Sequence, residues 1–112
     1  MALIKLDIYS PTDKSKVEKT YTAEGYELMM GTVEDFINII DVDKLDNNAE
    51  VAKMVLKGYA QLKPLIQDVF PEMTSEDWRN VKVNSLVGTV MQIATAVMET
   101  LDILKSGNIT RA

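Results

Sequence analysis

The segment Asn48–Phe70, NAEVAKMVLKGYAQLKPLIQDVF, carries apolar side chains at Val51, Val55, Tyr59, Leu62, Ile66 and Val69 and runs into Pro71. Steps of three and four residues put these side chains on one face of an α-helix, and the run is too long for a strand. Met54, Leu56 and Leu65 widen the stripe. Two residues inside it resist a straight helix. Gly58 costs about 1 kcal/mol relative to alanine. Pro64 costs about 3 kcal/mol, because it has no amide hydrogen and its ring crowds the preceding turn. The apolar period nevertheless continues through Leu65, Ile66, Val69 and Phe70. The sequence therefore predicts one long helix, kinked or divided near Leu62–Pro64.

A second long helix is expected from Asn84 to Leu104. Leu86, Val90, Ile93, Val97, Leu101 and Leu104 form one side, and Val87, Met91, Ala94 and Met98 form an adjoining strip. That surface is broader than one antiparallel neighbour needs. Asn84 suits the start, Lys105 suits the negative end and Gly107 is a stop, which leaves 108–112 as a flexible tail. Between the two long helices, Thr74-Ser75-Glu76-Asp77 is a capping signature, followed by a short helix carrying Trp78 over 75–81.

Ahead of these elements, Leu3, Ile4, Leu6 and Ile8 are interleaved with Lys5 and Asp7, as in a strand. Ser10-Pro11-Thr12-Asp13 marks a turn, and Val17–Tyr21 returns as a second strand with Glu18, Thr20 and Thr22 toward solvent. A hairpin over 3–21 is marginal alone, so it must pack on the helices or pair with another chain. Ala23–Met30 favours helix, with Tyr26, Met29 and Met30 as apolar contacts, and Gly31 breaks or bends it. Thr32 then caps a helix with Glu34 and Asp35 at its positive end and Phe36, Ile37, Ile39 and Ile40 inward. The acidic run Asp41–Asn48 lacks the glycine and the final glutamate of a calcium loop, and reads as a linker with an N-cap. The expected class is mainly α: a compact helical domain over 1–107 with two long helices, shorter helices and an N-terminal β-hairpin.

Composition narrows the chemistry. With 112 residues, 46% apolar and 26% charged, the chain is one ordinary globular domain rather than a disordered segment. The net charge of -5 is uneven: residues 1–50 hold five Lys against eleven acids, giving -6, and the remainder comes to +1. No basic cluster offsets the acidic half, so nucleic acid is a poor partner. The absence of Cys and His excludes disulfides and His/Cys zinc sites within this chain. The opening MALIKLDIYS lacks the basic start and apolar run of a secretory signal. Gln92, Thr95, Glu99 and Asp102 interrupt the longest apolar passage, so no membrane span is expected.

No catalytic, cofactor or metal site is expected, and no small-molecule substrate. The acid pairs Glu34/Asp35 and Glu76/Asp77 have roles at helix starts, Glu99 and Asp102 read as solvated, and no Ser, Thr or Lys has an activating neighbour motif. The seven methionines admit two uses. Met29, Met30, Met54, Met73, Met91 and Met98 either fill the core or supply an adaptable binding surface. Trp78 is either the anchor of its short helix or an interface hot spot. The candidate protein-binding residues are Met91, Met98, Val87, Ala94 and Trp78; the same surface is equally suited to a homo-oligomer.

Three blocks carry a resemblance: Thr32-Val-Glu-Asp-Phe, Leu62-Lys-Pro-Leu-Ile-Gln-Asp-Val-Phe-Pro71, and Thr74-Ser-Glu-Asp-Trp leading into a long Val/Met/Ile helix. Together, over Tyr21–Leu104, they resemble the tail assembly chaperones of long-tailed bacteriophages. The resemblance implies a small, mostly helical, non-catalytic factor in the cytoplasm of the infected host. It would bind the phage tape measure protein, keep its hydrophobic helices soluble, help recruit tail tube subunits and be absent from the mature virion. It also marks Pro64, Phe70, Pro71 and Trp78 as shape determinants, beside Gly31 and Gly58. Two other classes stay open on the residues alone: a structural tail or head-tail completion protein, and a small acidic regulatory adaptor or antitoxin.

Overall fold

A computed structural model describes residues 3–106, apart from the side chains of Tyr26, Val42 and residues 100–106. The expected tail 108–112, the stop at Gly107 and the side chains of Leu101, Asp102, Leu104 and Lys105 lie outside the described residues. Strand β1, Leu3–Tyr9, pairs antiparallel with β2, Val17–Glu24, placing Ile4 opposite Ala23, Leu6 opposite Tyr21 and Ile8 opposite Lys19. The register shifts between Ile8 and Tyr9, where Glu18 is the extra residue of a bulge. The turn is held by the Ser10 amide donating to the Lys16 carbonyl at 2.9 Å and by Asp13 Oδ1 accepting the Ser15 hydroxyl at 2.6 Å. Alternation along β1 sends Ile4, Leu6 and Ile8 into the core, while most of β2 remains exposed.

The other edge of β1 does not meet a strand. It meets helix α5, Val83–Ser106. Thr89 donates its hydroxyl to the Lys5 carbonyl at 2.6 Å, and Gln92 Oε1 accepts the Lys5 amide at 2.7 Å. The Tyr9 amide donates to the Asn80 carbonyl at 3.0 Å. Helix side chains and a loop carbonyl thus take up the Lys5 and Tyr9 backbone groups that would otherwise be open to another strand.

The remaining helices are α1, Met30–Ile39; α2, Asn48–Lys57; α3, Tyr59–Val69; and the short α4, Ser75–Arg79. α5 packs along β1 and touches α2, while α1 lies on α3. One core collects Ile4, Leu6 and Ile8 with Phe36, Val51, Val55, Leu62, Ile66, Val90, Ile93 and Val97, among others.

The expected class is corrected by this arrangement: the fold is α+β, five helices with a two-stranded antiparallel sheet among the described residues. The strands are not an appendage to a helical domain, because Ile4, Leu6 and Ile8 are among its most completely buried large side chains. Nor are there two long helices. The Asn48–Phe70 segment is two helices of ten and eleven residues, divided at Gly58 and not near Pro64. Gly58 closes α2 by donating to the Met54 carbonyl at 2.8 Å and opens α3 by accepting the Leu62 amide at 2.8 Å. A Cβ there would stand 2.8 Å from Ile39 Cγ2. Close approach of α1 therefore requires glycine at this point. Pro64 sits inside α3 without breaking it. Ala60, whose carbonyl loses its usual amide partner, is exposed like Pro64 itself, so water can replace the missing bond.

Three local expectations also change. The segment Ala23–Met30 is not a helix: β2 continues to Glu24 opposite Leu3, and a 3-10 turn follows at Gly25–Glu27. Cross-strand pairing overrides local helix preference there. Gly31 is the second residue of α1 and does not break it, while Thr32 lies within that helix, buried, and does not cap it. In the last helix Asn84 falls inside the first turn. The linker at Asp41 forms a 3-10 turn, Val42–Lys44, and Asn47 caps α2 by accepting the amides of Ala49 and Glu50 at 2.9 and 3.2 Å.

Candidate functional site: an apolar groove floored by Trp78

α4 is short, and polar contacts hold it on both sides. At its start the complete capping box forms, with the Asp77 amide donating to Thr74 Oγ1 at 3.1 Å and Asp77 Oδ2 accepting the Thr74 amide at 3.0 Å. The same carboxylate reaches the hairpin, accepting the Tyr21 hydroxyl at 2.6 Å and pairing with Lys19 Nζ at 2.9 Å. Burial pushes the Asp77 carboxyl up, but the Tyr21 hydroxyl, the Thr74 amide and the Lys19 ammonium together bring it down to about 2. Its acceptors are all engaged in holding β2 to α4, so this perturbed acid is a structural latch. The Tyr21 ring continues the latch by packing on Phe70, centroid to centroid 6.1 Å.

On the other side of α4, Trp78 is fixed by Gln67. The indole Nε1 donates to Gln67 Oε1 at 2.8 Å, while Gln67 Nε2 donates to the carbonyls of Phe70 and Met73, both at 3.1 Å. One amide thereby ties the turn between α3 and α4 and orients the ring. Trp78 is only 7% exposed. Tyr59 meets it edge-on with centroids 6.2 Å apart, and Lys63 Nζ lies 5.7 Å from its centroid. Tyr59 and Lys63 are one helical turn apart on α3, so the division at Gly58 determines how both address the indole.

Around that floor lies a groove of about 240 Å³, lined by Leu56, Tyr59, Trp78, Val81, Lys82, Val83 and Leu86. Leu56 is 62% exposed, Val83 53% and Tyr59 37%, so the groove is flanked by apolar surface left open to solvent. Lys82 is the charged residue of the lining, its Nζ 4.1 Å from the Tyr9 ring centroid. A second, wider groove of about 430 Å³ occupies the flank of α3 that carries Ala60, Gln61 and Pro64, and it is lined by Asp35 and Asp68 as well.

The residues expected to bind protein are dispersed by the fold. Ala94 is in the core, and Val87 and Met91 are half-buried against it. Met98 is 47% exposed, but it stands twelve residues beyond Leu86 on α5, about 18 Å away at the usual helical rise. Trp78 alone of the five lies in the groove. Of the shape determinants, Phe70 is buried beside Tyr21, Pro71 is exposed in the turn after α3, and Pro64 lines the wider groove. Among the methionines, Met73 is buried and Met54 packs against the core, whereas Met29 and Met30 project into solvent. The lining residues Lys82 and Val83, and Lys63 beside the indole, carry no sequence signal of their own, and Leu56 reads only as a widening of the apolar stripe. Leu56 falls off the buried face of α2, which Val51 and Val55 carry, and is 62% exposed.

Among the described residues no group of three or more acids could hold a metal ion, and no helix is long and apolar enough to cross a membrane. Comparison of the chain with protein-family models, curated proteins and solved structures finds no match.

Proposed function

We propose that this protein is a non-catalytic assembly chaperone that binds a helical client, of the kind that serves phage tail assembly. The observation that carries the reading is the amount of apolar surface left open on a small acidic domain: Met29, Met30, Leu56, Val83 and Met98 are all exposed. Such surface, kept in solution by net charge, suits a protein that shields another protein's hydrophobic helices. The three sequence blocks that resemble tail assembly chaperones support naming the client as a tape measure protein, with tail tube subunits as the later partner. Under this reading the protein works in the cytoplasm of the infected host, by stoichiometric binding and without nucleotide hydrolysis, and leaves before the virion is complete.

The test is co-expression with a tape measure protein encoded beside it. The expected result is a rise in soluble tape measure protein and copurification of the two. Failure of any tail protein to copurify when both fold overturns the reading, as does finding stoichiometric copies in mature particles.

A further inference from the structure

The groove at Trp78 has a chemistry that selects its occupant. The chain as a whole is acidic, with a net charge of -5. Yet no carboxylate lines this groove: its one charged lining residue is Lys82, and a second cation, Lys63, stands beside it with Nζ 5.7 Å from the Trp78 ring centroid. The ion pairs among the described residues use Lys19, Lys44 and Lys53. Neither Lys63 nor Lys82 is in one of these pairs, although Asp13 is near enough to Lys82 for the ammonium to help lower its carboxyl. Both lie against rings, Lys63 5.7 Å from the Trp78 centroid and Lys82 4.1 Å from that of Tyr9, and a ring contact leaves the positive charge on the ammonium. The volume, about 240 Å³, is below the range of about 300–1,000 Å³ typical of small-molecule pockets. It suits one or two inserted side chains of a larger partner.

We infer that the Trp78 groove is a docking site for an acidic amphipathic helix of another protein, whose apolar side chains enter between Leu56 and Val83 while its carboxylates meet Lys63 and Lys82. Helix-in-groove recognition takes this form, with apolar anchors one turn apart and charge at the rim fixing orientation and partner choice. The inference rests on the reading of the protein as a client-binding module and adds which surface it uses and what charge the client carries. The acid-lined groove on the opposite flank of α3 would repel such a helix, so the two faces are distinguished by charge.

Trp78 is the only tryptophan, which makes its emission a direct reporter. The probes are two synthetic helical peptides with leucine and phenylalanine on one face, one bearing glutamate on the other face and one bearing lysine. The glutamate peptide is expected to give a saturable emission change and to bind at least about tenfold more tightly than the lysine peptide. Lys63→Glu with Lys82→Glu should reverse that order. Leu56→Glu, at an exposed position that leaves the core untouched, should abolish binding of the glutamate peptide while the thermal unfolding curve stays in place. Equal binding of the two peptides, no emission change, or an unaltered order in the lysine double variant overturns the inference. Emission changes with phosphatidylglycerol vesicles and none with the glutamate peptide overturn it too. If the double variant still raises soluble tape measure protein, the groove assignment fails and the chaperone reading stands. If the peptide binds as expected but wild-type co-expression has no effect, the groove stands and the chaperone reading fails.

Discussion

Gln92 accepts the backbone amide of Lys5 through its side-chain oxygen at 2.7 Å, so a helix completes hydrogen bonding that a third strand would otherwise provide. One turn earlier, Thr89 donates to the Lys5 carbonyl at 2.6 Å while also contacting the Ser85 carbonyl at 3.0 Å. Thr89→Val keeps the shape and removes the donor. It should lower stability by about 1–2 kcal/mol in urea unfolding, because a partly buried carbonyl loses its partner. Gln92→Ala should in addition speed hydrogen exchange at the Lys5 amide. Unchanged exchange there would remove the helix from its role as an edge cover.

Gly58→Ala tests the division of the Asn48–Phe70 segment. Helix propensity alone favours alanine by about 1 kcal/mol. The added Cβ would sit 2.8 Å from Ile39 Cγ2, however, and forcing α1 and α3 apart should reverse the sign to a net loss of about 1–2 kcal/mol. In an Ile39→Ala background the loss should shrink, leaving only the contact of the Cβ with the Met54 carbonyl at 3.0 Å, a coupling that a double-mutant cycle by chemical denaturation measures directly.

At Gly31 a Cβ would meet nothing within 4 Å, and the residue lies exposed inside α1. Gly31→Ala should therefore stabilise the protein, by up to about 1 kcal/mol. A lower melting temperature for this variant would contradict the placement of Gly31 within the helix.

Asp77 makes stability depend on acid. Its carboxyl stands at about 2 in the folded protein against an ordinary 3.8. A depressed folded value means the contribution is fully present above the unfolded value and is lost as pH falls through about 4 toward 2. Its size is on the order of 1–2 kcal/mol, held down because the Lys19 partner is 47% exposed. Wild type should exceed Asp77→Asn in stability at pH 6, and the two should converge by about pH 2. A difference that stays constant across that range would show that the carboxylate's charge is irrelevant to the latch.

Gln67→Leu removes the acceptor of the Trp78 indole and the donor to the Phe70 and Met73 carbonyls in a single change. The expected loss is about 2–3 kcal/mol, with altered Trp78 emission in the native state. Gln67→Glu keeps an acceptor for the indole but loses the two donated bonds. It should retain more native-like emission than Gln67→Leu at a comparable loss of stability.

Strong period and capping chemistry are enough to set the local elements from the residues alone. The alternation from Leu3 to Ile8 marked a strand, and the Val51–Ile66 spacing marked helix. Thr74 and Asp77 marked the start of α4. The -5 charge and the absence of Cys and His also bounded the chemistry before any coordinates. How these parts share a core depends on packing between elements distant in the chain. Local penalties located the weak points at Gly58 and Pro64 but ranked them wrongly. Proline's missing bond faces solvent, whereas glycine is required by the approach of Ile39 from another helix. Composition and period likewise suggested helices with a hairpin in front, while burial of Ile4, Leu6 and Ile8 under α5 makes the fold α+β. The groove was the least legible feature of all. Leu56, Tyr59, Trp78 and Val83 come from four helices, and their convergence depends on packing between segments that no single periodicity contains.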